Sequence, residues 1–384
     1  MAEIEEITQA FEADDKESKV YSASVVPPTY DSITDEWLTD ALGGGVAGAR
    51  VVGHSLDERD DGSSNRRRIF MDWNDAGKAG GLPPTVFCKM SENLANRITL
   101  AASGAAEGEA IFYNHIRPLL DIESFTGIYA KFDPETFRSL IVMPDMVNKV
   151  TFGHHSIEVT KEMAEGQVRT LAGLHGTMYE HPILKDLKLR SWAEWWKDMM
   201  DVTPMFGPSC MKAWDESAEL GIIPSGMLKH REEIWPLTMA SAARHHELPH
   251  TYTHNDVHFK NWYITNEGQR MGLSDWQCCT KGHWSRDLMY ALTTAMTIDN
   301  RRAWMEDLVK LYVEEMKARG VAMPSLEDVW KNLRQQSMTA LAFWTITLVP
   351  APSMPDMQPR DITVEFLKRF YAWMDDYDAL AAFK

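Results

Sequence analysis

The chain has 384 residues, 44% hydrophobic and 25% charged, which excludes wholesale disorder and leaves room for two or three lobes. Its net charge of −17 repels phosphate backbones and anionic lipid, so neither nucleic acid nor a membrane surface is an expected partner. Four cysteines, two of them adjacent (Cys278 and Cys279), form neither a disulfide framework nor a spaced zinc set, and a cytoplasmic location is expected.

The N-terminal stretch MAEIEEITQAFEADDKES is acidic and lacks the basic start and apolar run of a secretory signal. Residues 1–44 read as an acidic, weakly periodic extension, broken at Val26-Pro27-Pro28 and partly of disordered character. Within it, 33–42 has helical spacing with Thr34 or Asp35 able to cap it. Short β-like runs follow at 51–56, 68–73 and 85–89, separated by turn-rich segments at 60–65 and 77–84. A helix is expected at 105–116, ending before Pro118, and two more strands at 128–132 and 139–143 flank Asp133-Pro134-Glu135. Residues 45–145 therefore predict a small antiparallel sheet with one helix.

Residues 146–384 are mostly helical in pattern, with helices expected at 162–179, 191–202, 228–245, 286–298, 302–319, 326–349 and 363–380. A hairpin is set among them, with strands at 261–265 and 271–276 around Asn266-Glu267-Gly268. The longest apolar stretch, 340–349, is interrupted by Thr345 and Thr347, and a spanning helix needs about twice that length.

The hairpin is preceded by His254-Asn255-Asp256-Val257-His258-Phe259-Lys260-Asn261 and ends in Ser274-Asp275-Trp276. Phosphoryl transfer from ATP needs a carboxylate to orient the acceptor hydroxyl, and an amide and a second carboxylate for the metal on the phosphates. An Asp and an Asn five residues apart in one loop, with a second Asp from the next strand, can divide those tasks.

This block resembles the catalytic loop of the aminoglycoside phosphotransferase and choline/ecdysteroid kinase-like families, H-G-D-x-H-x-x-N followed by a D-[WF] strand. Its four fixed residues arise by chance about once per 10⁵ start points at ~5% usage each. The resemblance implies Asp256 as catalytic base and Asn261 and Asp275 as Mg²⁺ ligands. One departure stands in the loop: Asn255 occupies the usual glycine position. Asn tolerates strained backbone better than most non-glycine residues. The segment D-W-Q-x-x-x-x-G-H-W-x-R-D looks closer to the ecdysteroid kinase-like group than to classical resistance enzymes, and Asp287 within it reads as a structural partner for the loop.

The resemblance extends to the first block. Lys89 on the third strand would neutralise nucleotide phosphates, and Glu109, in an E-x-x-F-Y pattern that fits better than Glu107, would hold it in place. Gly62, Ser63, Ser64 and Asn65 lie where a phosphate-covering turn should be. Asp145 and Met146 would follow the purine edge; Pro144 has no N–H to donate, so Met146 is the expected backbone contact. The implied fold class is α+β, a two-lobed protein-kinase-like fold with a small antiparallel-sheet N-terminal lobe and a larger, mainly helical C-terminal lobe. The implied activity is transfer of the γ-phosphate of ATP, with Mg²⁺, to a hydroxyl of a small-molecule acceptor, in a monomer or homodimer.

Two alternatives belong beside it. A nucleotide-binding pseudokinase would keep the same residues without turnover. A zinc hydrolase would use His246 and His250, which match H-E-x-x-H. Pro249 opposes the helix that motif requires, at a cost of about 3 kcal/mol in a helix interior. His175 reads as a structural histidine at a helix end, and Trp192, Trp195 and Trp196 as core.

Overall fold

The structure, a computed structural model, describes residues 4–202, 205–350 and 357–384. It divides into two compact units: Met1–Leu119 with Ser124–Val150 and Asp275–Cys279, and Leu120–Glu123 with Thr151–Ser274 and Thr280–Lys384.

The first unit contains α1 (Ile4–Glu12), α2 (Asp35–Leu42), β1 (Val51–Leu56), β2 (Asp60–Asp61), β3 (Asn65–Trp73), α3 (Asp75–Ala79), β4 (Thr85–Met90), α4 (Leu94–Ala102), α5 (Ala105–Ile111), β5 (Tyr129–Phe132) and β6 (Ser139–Pro144). The strands form one antiparallel sheet in the order β1-β3-β4-β6-β5, with β2 paired to β3. Alternation in β4 sends Val86, Cys88 and Met90 into a core shared with Ile69, Trp73, Leu140 and Val142, and leaves Lys89 for the other face. Thr34 caps α2 by accepting the Trp37 N–H at 3.1 Å, and Trp37 and Leu38 close that core from outside the sheet.

The acidic extension packs rather than dangling. Asp14, its side chain 2% exposed, binds Arg97 at 2.5 Å and Arg138 at 2.6 Å. Burial alone would raise the Asp14 pKa, but the two guanidiniums hold it below its ordinary value. These partners lie more than 80 positions away, so no local pattern announces them.

The second unit contains β7 (Val150–Phe152), α6 (Lys161–Thr177), α7 (Ile183–Asp186), α8 (Trp192–Val202), α9 (Phe206–Glu219), α10 (Arg231–Arg244), β8 (Thr251–Thr253), β9 (Trp262–Thr265), β10 (Met271–Leu273), β11 (Thr280–Gly282), α11 (Ser285–Ala295), α12 (Ile298–Ala318), α13 (Leu326–Leu348) and α14 (Arg360–Asp376). The expected hairpin is β9–β10, joined by β7 into a three-stranded sheet, and β8 pairs with β11. Every residue of α11 is buried, and α13 packs against α9, α10, α11 and α14. Trp192, Trp195 and Trp196 of α8 enter a core with Phe206, Trp235 and Phe343. Helices α1, α3, α4, α7 and α9 are additional to those expected from periodicity. Among the described residues no helix is long and apolar enough to cross a membrane.

Candidate active site

In the first unit, Lys89 Nζ stands 2.7 Å from Glu109 Oε1 on α5 and 2.8 Å from Asp275 Oδ1. Glu107, the other glutamate of that helix, faces outward enough to remain half-buried, whereas Glu109 is 2% exposed. Asp275 is delivered by the segment that follows β10. Its φ of 64° is left-handed, and the next residue, Trp276, stacks on Phe112 with ring centroids 3.7 Å apart. The Trp276 Nε1–H donates to Ser124 Oγ at 3.0 Å, which completes the anchor.

One cation here serves two carboxylates. Burial opposes the charge on Lys89, but Asp275 and Glu109 together raise its pKa. Glu109 is also raised: burial outweighs the attraction of Lys89, and Asp275 adds repulsion. The Asp275 side chain remains 39% exposed, with Oδ1 on the lysine, so a further cation could approach it and relieve that repulsion.

The turn between β2 and β3 splits by exposure. Gly62 and Ser63 are exposed, while Ser64 and Asn65 are 2% and 1% exposed. Asn65 Oδ1 accepts the Glu92 and Asn93 N–H groups at 2.8 and 3.2 Å, and its Nδ2 donates to Asp61 at 2.9 Å. Asn65 therefore braces the turn from inside. The Gly62 N–H is taken by the Ser64 carbonyl at 3.0 Å, and Ser63 Oγ donates to Gln277 at 3.1 Å, which ties the turn to the Asp275 segment. Asp145 receives Arg68 at 3.2 Å and the Val147 N–H at 3.1 Å, and the Met146 carbonyl accepts from Lys149 at 3.0 Å.

In the second unit, the loop after β8 carries Asp256 and Asn261. Asn261 Nδ2 donates to the Asp256 carbonyl at 2.7 Å and to its Oδ2 at 3.1 Å. Since both bonds come from the amide nitrogen, Oδ1 of Asn261 is the atom left for a cation. Ser274 in turn donates its N–H and hydroxyl to the Asn261 carbonyl at 2.9 and 2.8 Å. His258 Nε2 lies 3.5 Å from Asp256 Oδ2. Burial alone would raise the Asp256 pKa, but His258, then His254 and Arg286, hold it well below the usual carboxylate range.

Asp287 on α11 holds the loop. It is fully buried and accepts the His254 and Asn255 N–H groups at 2.7 and 2.9 Å, with His175 Nε2 at 3.3 Å. His175 also meets the Tyr312 hydroxyl at 2.8 Å. Asn255 adopts φ 66°, the conformation for which a glycine would be the default, and its side chain donates to Thr280 Oγ1 at 2.9 Å. The substitution thus keeps the left-handed turn and adds a bond that glycine lacks.

His246 and His250 lie beyond α10, which ends at Arg244, so the helix that would align H-E-x-x-H on one metal is missing. His250 Nε2 donates instead to the His245 carbonyl at 2.6 Å, and His246 is exposed. Among the described residues no cluster of three or more His, Cys, Asp or Glu is arranged for a metal ion.

The sequence reading counted His254 among the fixed residues of the loop without giving it a role, and did not single out Tyr290 or Trp344. His254 struts the loop, donating from Nε2 to the Ser274 carbonyl at 2.9 Å and accepting the Asp256 N–H on Nδ1 at 3.2 Å. Tyr290 lies three residues after Asp287, one turn along α11, and that spacing was the available signal.

Residues 140–322 match the model of the phosphotransferase enzyme family. Among solved structures, the chain is similar to a candidate aminoglycoside phosphotransferase from Ralstonia eutropha JMP134 (TM-score 0.50, 13% identity, covering 88% of this chain and 97% of that one). It is also similar to a microcompartment-associated aminopropanol kinase (TM-score 0.50, 12% identity, covering 86% and 94%). At these identities the likeness establishes the fold, which is protein-kinase-like. No curated protein matches the chain by sequence.

Proposed function

We propose, from the match of residues 140–322 to the model of the phosphotransferase enzyme family, that the chain is an ATP-dependent kinase that phosphorylates a hydroxyl of a small molecule. The observation that carries this reading is the buried Lys89–Glu109 pair, with the partly exposed Asp275 as a second partner of the lysine. A lysine held charged in this way suits nucleotide phosphates.

Asn261 and Asp275 would hold Mg²⁺. Their chemistry fits, since each has an oxygen uncommitted by the contacts described above, and this ion takes one or two carboxylates alongside phosphate and water. When bound it would supply positive charge to offset that of the nucleotide phosphates. Asp256 orients the acceptor hydroxyl and takes its proton late, as befits a carboxylate of low pKa. Gly62 and Ser63 would cover the triphosphate, with Ser64 and Asn65 bracing the turn, and residues 145–146 would meet the purine edge, the contact coming from Met146 backbone.

The test is Mg·ATP turnover with and without a panel of hydroxylated small molecules, in the wild type and in Asp256→Ala and Asp275→Ala. Stimulation by an acceptor, lost in both variants, supports the kinase. Mg·ATP binding that depends on Asp275 without turnover would replace it by a pseudokinase, and absence of nucleotide binding would remove both.

A further inference from the structure

We propose that Tyr290 is a positioning residue for Asp256, and that Trp344 sets the direction of the tyrosine's hydroxyl proton; this rests on the kinase reading of Asp256. Tyr290 is 1% exposed and Trp344 2% exposed, so neither hydroxyl nor indole can turn to bulk water. The Trp344 Nε1–H donates to Tyr290 Oη at 2.7 Å. An indole nitrogen only donates, so this bond occupies a lone pair of the tyrosine and sends the phenolic proton elsewhere. Asp256 Oδ1 lies in its path, accepting at 3.4 Å. That length is long for O–H···O, and such contacts shorten when a substrate orders the site.

The consequence is a carboxylate held at both oxygens. Oδ2 takes Asn261 Nδ2 at 3.1 Å, and Oδ1 takes Tyr290. Rotation about the Cβ–Cγ bond would break one of these bonds whichever way it went. The His258 ring meets Trp344 edge-on, with centroids 5.5 Å apart, so the tryptophan also walls the histidine beside Oδ2. Trp344 is itself packed edge-on to Phe366 at 4.7 Å. The relay runs from α13 through α11 to the loop, and its product is the orientation of one carboxylate. Orientation of this kind acts on the chemical step rather than on ground-state binding.

The experiment compares Tyr290→Phe, Trp344→Phe and the double variant in Mg·ATP turnover, with urea unfolding of each as a control. At Tyr290, phenylalanine keeps the ring and removes only the hydroxyl, so packing is preserved there, whereas at Trp344 it also removes part of a buried ring, which the unfolding control reads. Tyr290→Phe is expected to lower kcat about tenfold while KM for ATP and acceptor stays within about twofold. Trp344→Phe is expected to cost less, and the double variant no more than Tyr290→Phe, because both act through one proton. A merely structural role would instead lower the unfolding midpoint, leave the kcat of the folded fraction unchanged and give additive effects. Unchanged kcat in Tyr290→Phe, beside a wild type that turns over and an inactive Asp256→Ala, overturns the inference alone. A wild type without turnover fails the kinase reading and takes the inference with it.

Discussion

Replacing Lys89 with methionine removes the cation that lies between Glu109 and Asp275. At the 2.7 Å separation from Glu109, and an effective dielectric of about 20, each such contact is worth about 6 kcal/mol of attraction. Much of that is offset by desolvation, since the Lys89 and Glu109 side chains are only 9% and 3% exposed. What the variant leaves behind is a buried carboxylate without a counter-charge, which costs about 3 kcal/mol or more at neutral pH. Asp275, 39% exposed, is screened by solvent and adds at most about 1 kcal/mol. Lys89→Met is thus expected to lower the unfolding free energy by about 3 kcal/mol in urea titrations. Glu109→Gln in the same chain should recover most of the loss, because a neutral amide needs no partner ion. The pH dependence follows from the sign of the Glu109 shift, which is upward already in the wild type. A carboxyl with a raised folded pKa penalises the fold only where the unfolded chain would ionise it, so the deficit should shrink as pH falls towards 4.5. A deficit independent of pH, or a double variant weaker than Lys89→Met, would refute the reasoning.

Three further outcomes are expected. Burial pulls His245 down to about 3 from its ordinary 6.5, so the stability gained by keeping it neutral is whole above 6.5 and drains as pH falls. By about pH 5 the loss is about 2 kcal/mol, and His245→Gln, which can still accept from His283 and donate to Gln336, should flatten that slope in urea titrations; an unchanged slope would count against it. Asn255→Val places a β-branched residue at φ 66° and should lower stability by about 2 kcal/mol or more, whereas Asn255→Gly should stay within about 1 kcal/mol of wild type in thermal unfolding. Asp287→Asn keeps one acceptor oxygen where two backbone N–H groups need two, so a loss of about 2 kcal/mol and a lower turnover of the folded fraction are expected, and wild-type values in both would refute the clamp.

Much of the fold lay in local pattern. The β-like run at 85–89 marked β4, and the polar turn at Asn266-Glu267-Gly268 marked the hairpin. What escaped was carried by distant partners. Helix α1 is short and acidic, and nothing within it foretells that Asp14, two residues beyond its end, is buried between Arg97 and Arg138. Helix α4 is mostly small and polar residues, capped by Asn93 accepting the Asn96 N–H at 2.8 Å. It is short, and the turn of β2 and β3 gives it a distant partner through Asn96 and the Gly62 carbonyl at 2.6 Å. The candidate site divides in the same way. Lys89, His254, Asp256, Asn261 and Asp275 are recognisable by type and spacing, while the supports Tyr290 and Trp344 look like ordinary core residues until the helices are packed.

Asp256 and Asp287 illustrate why residue type alone stops short of a role. Both are carboxylates at the same loop, and in both the downward pull on pKa outweighs burial. Asp287 is fully buried, and its two oxygens take two backbone N–H groups and a histidine, so it has no edge to offer a substrate. The Asp256 side chain is 34% exposed, and its partners approach only from the protein side, through Asn261 on Oδ2 and Tyr290 on Oδ1. A carboxylate saturated with donors fixes a loop; one oriented but left open can receive a hydroxyl. The same geometry explains why a low pKa is compatible with the proposed role. In phosphoryl transfer with a loose transition state the acceptor needs little activation before the phosphorus–oxygen bond forms, so orientation matters more than basicity, and a proton accepted late can reach a weak base.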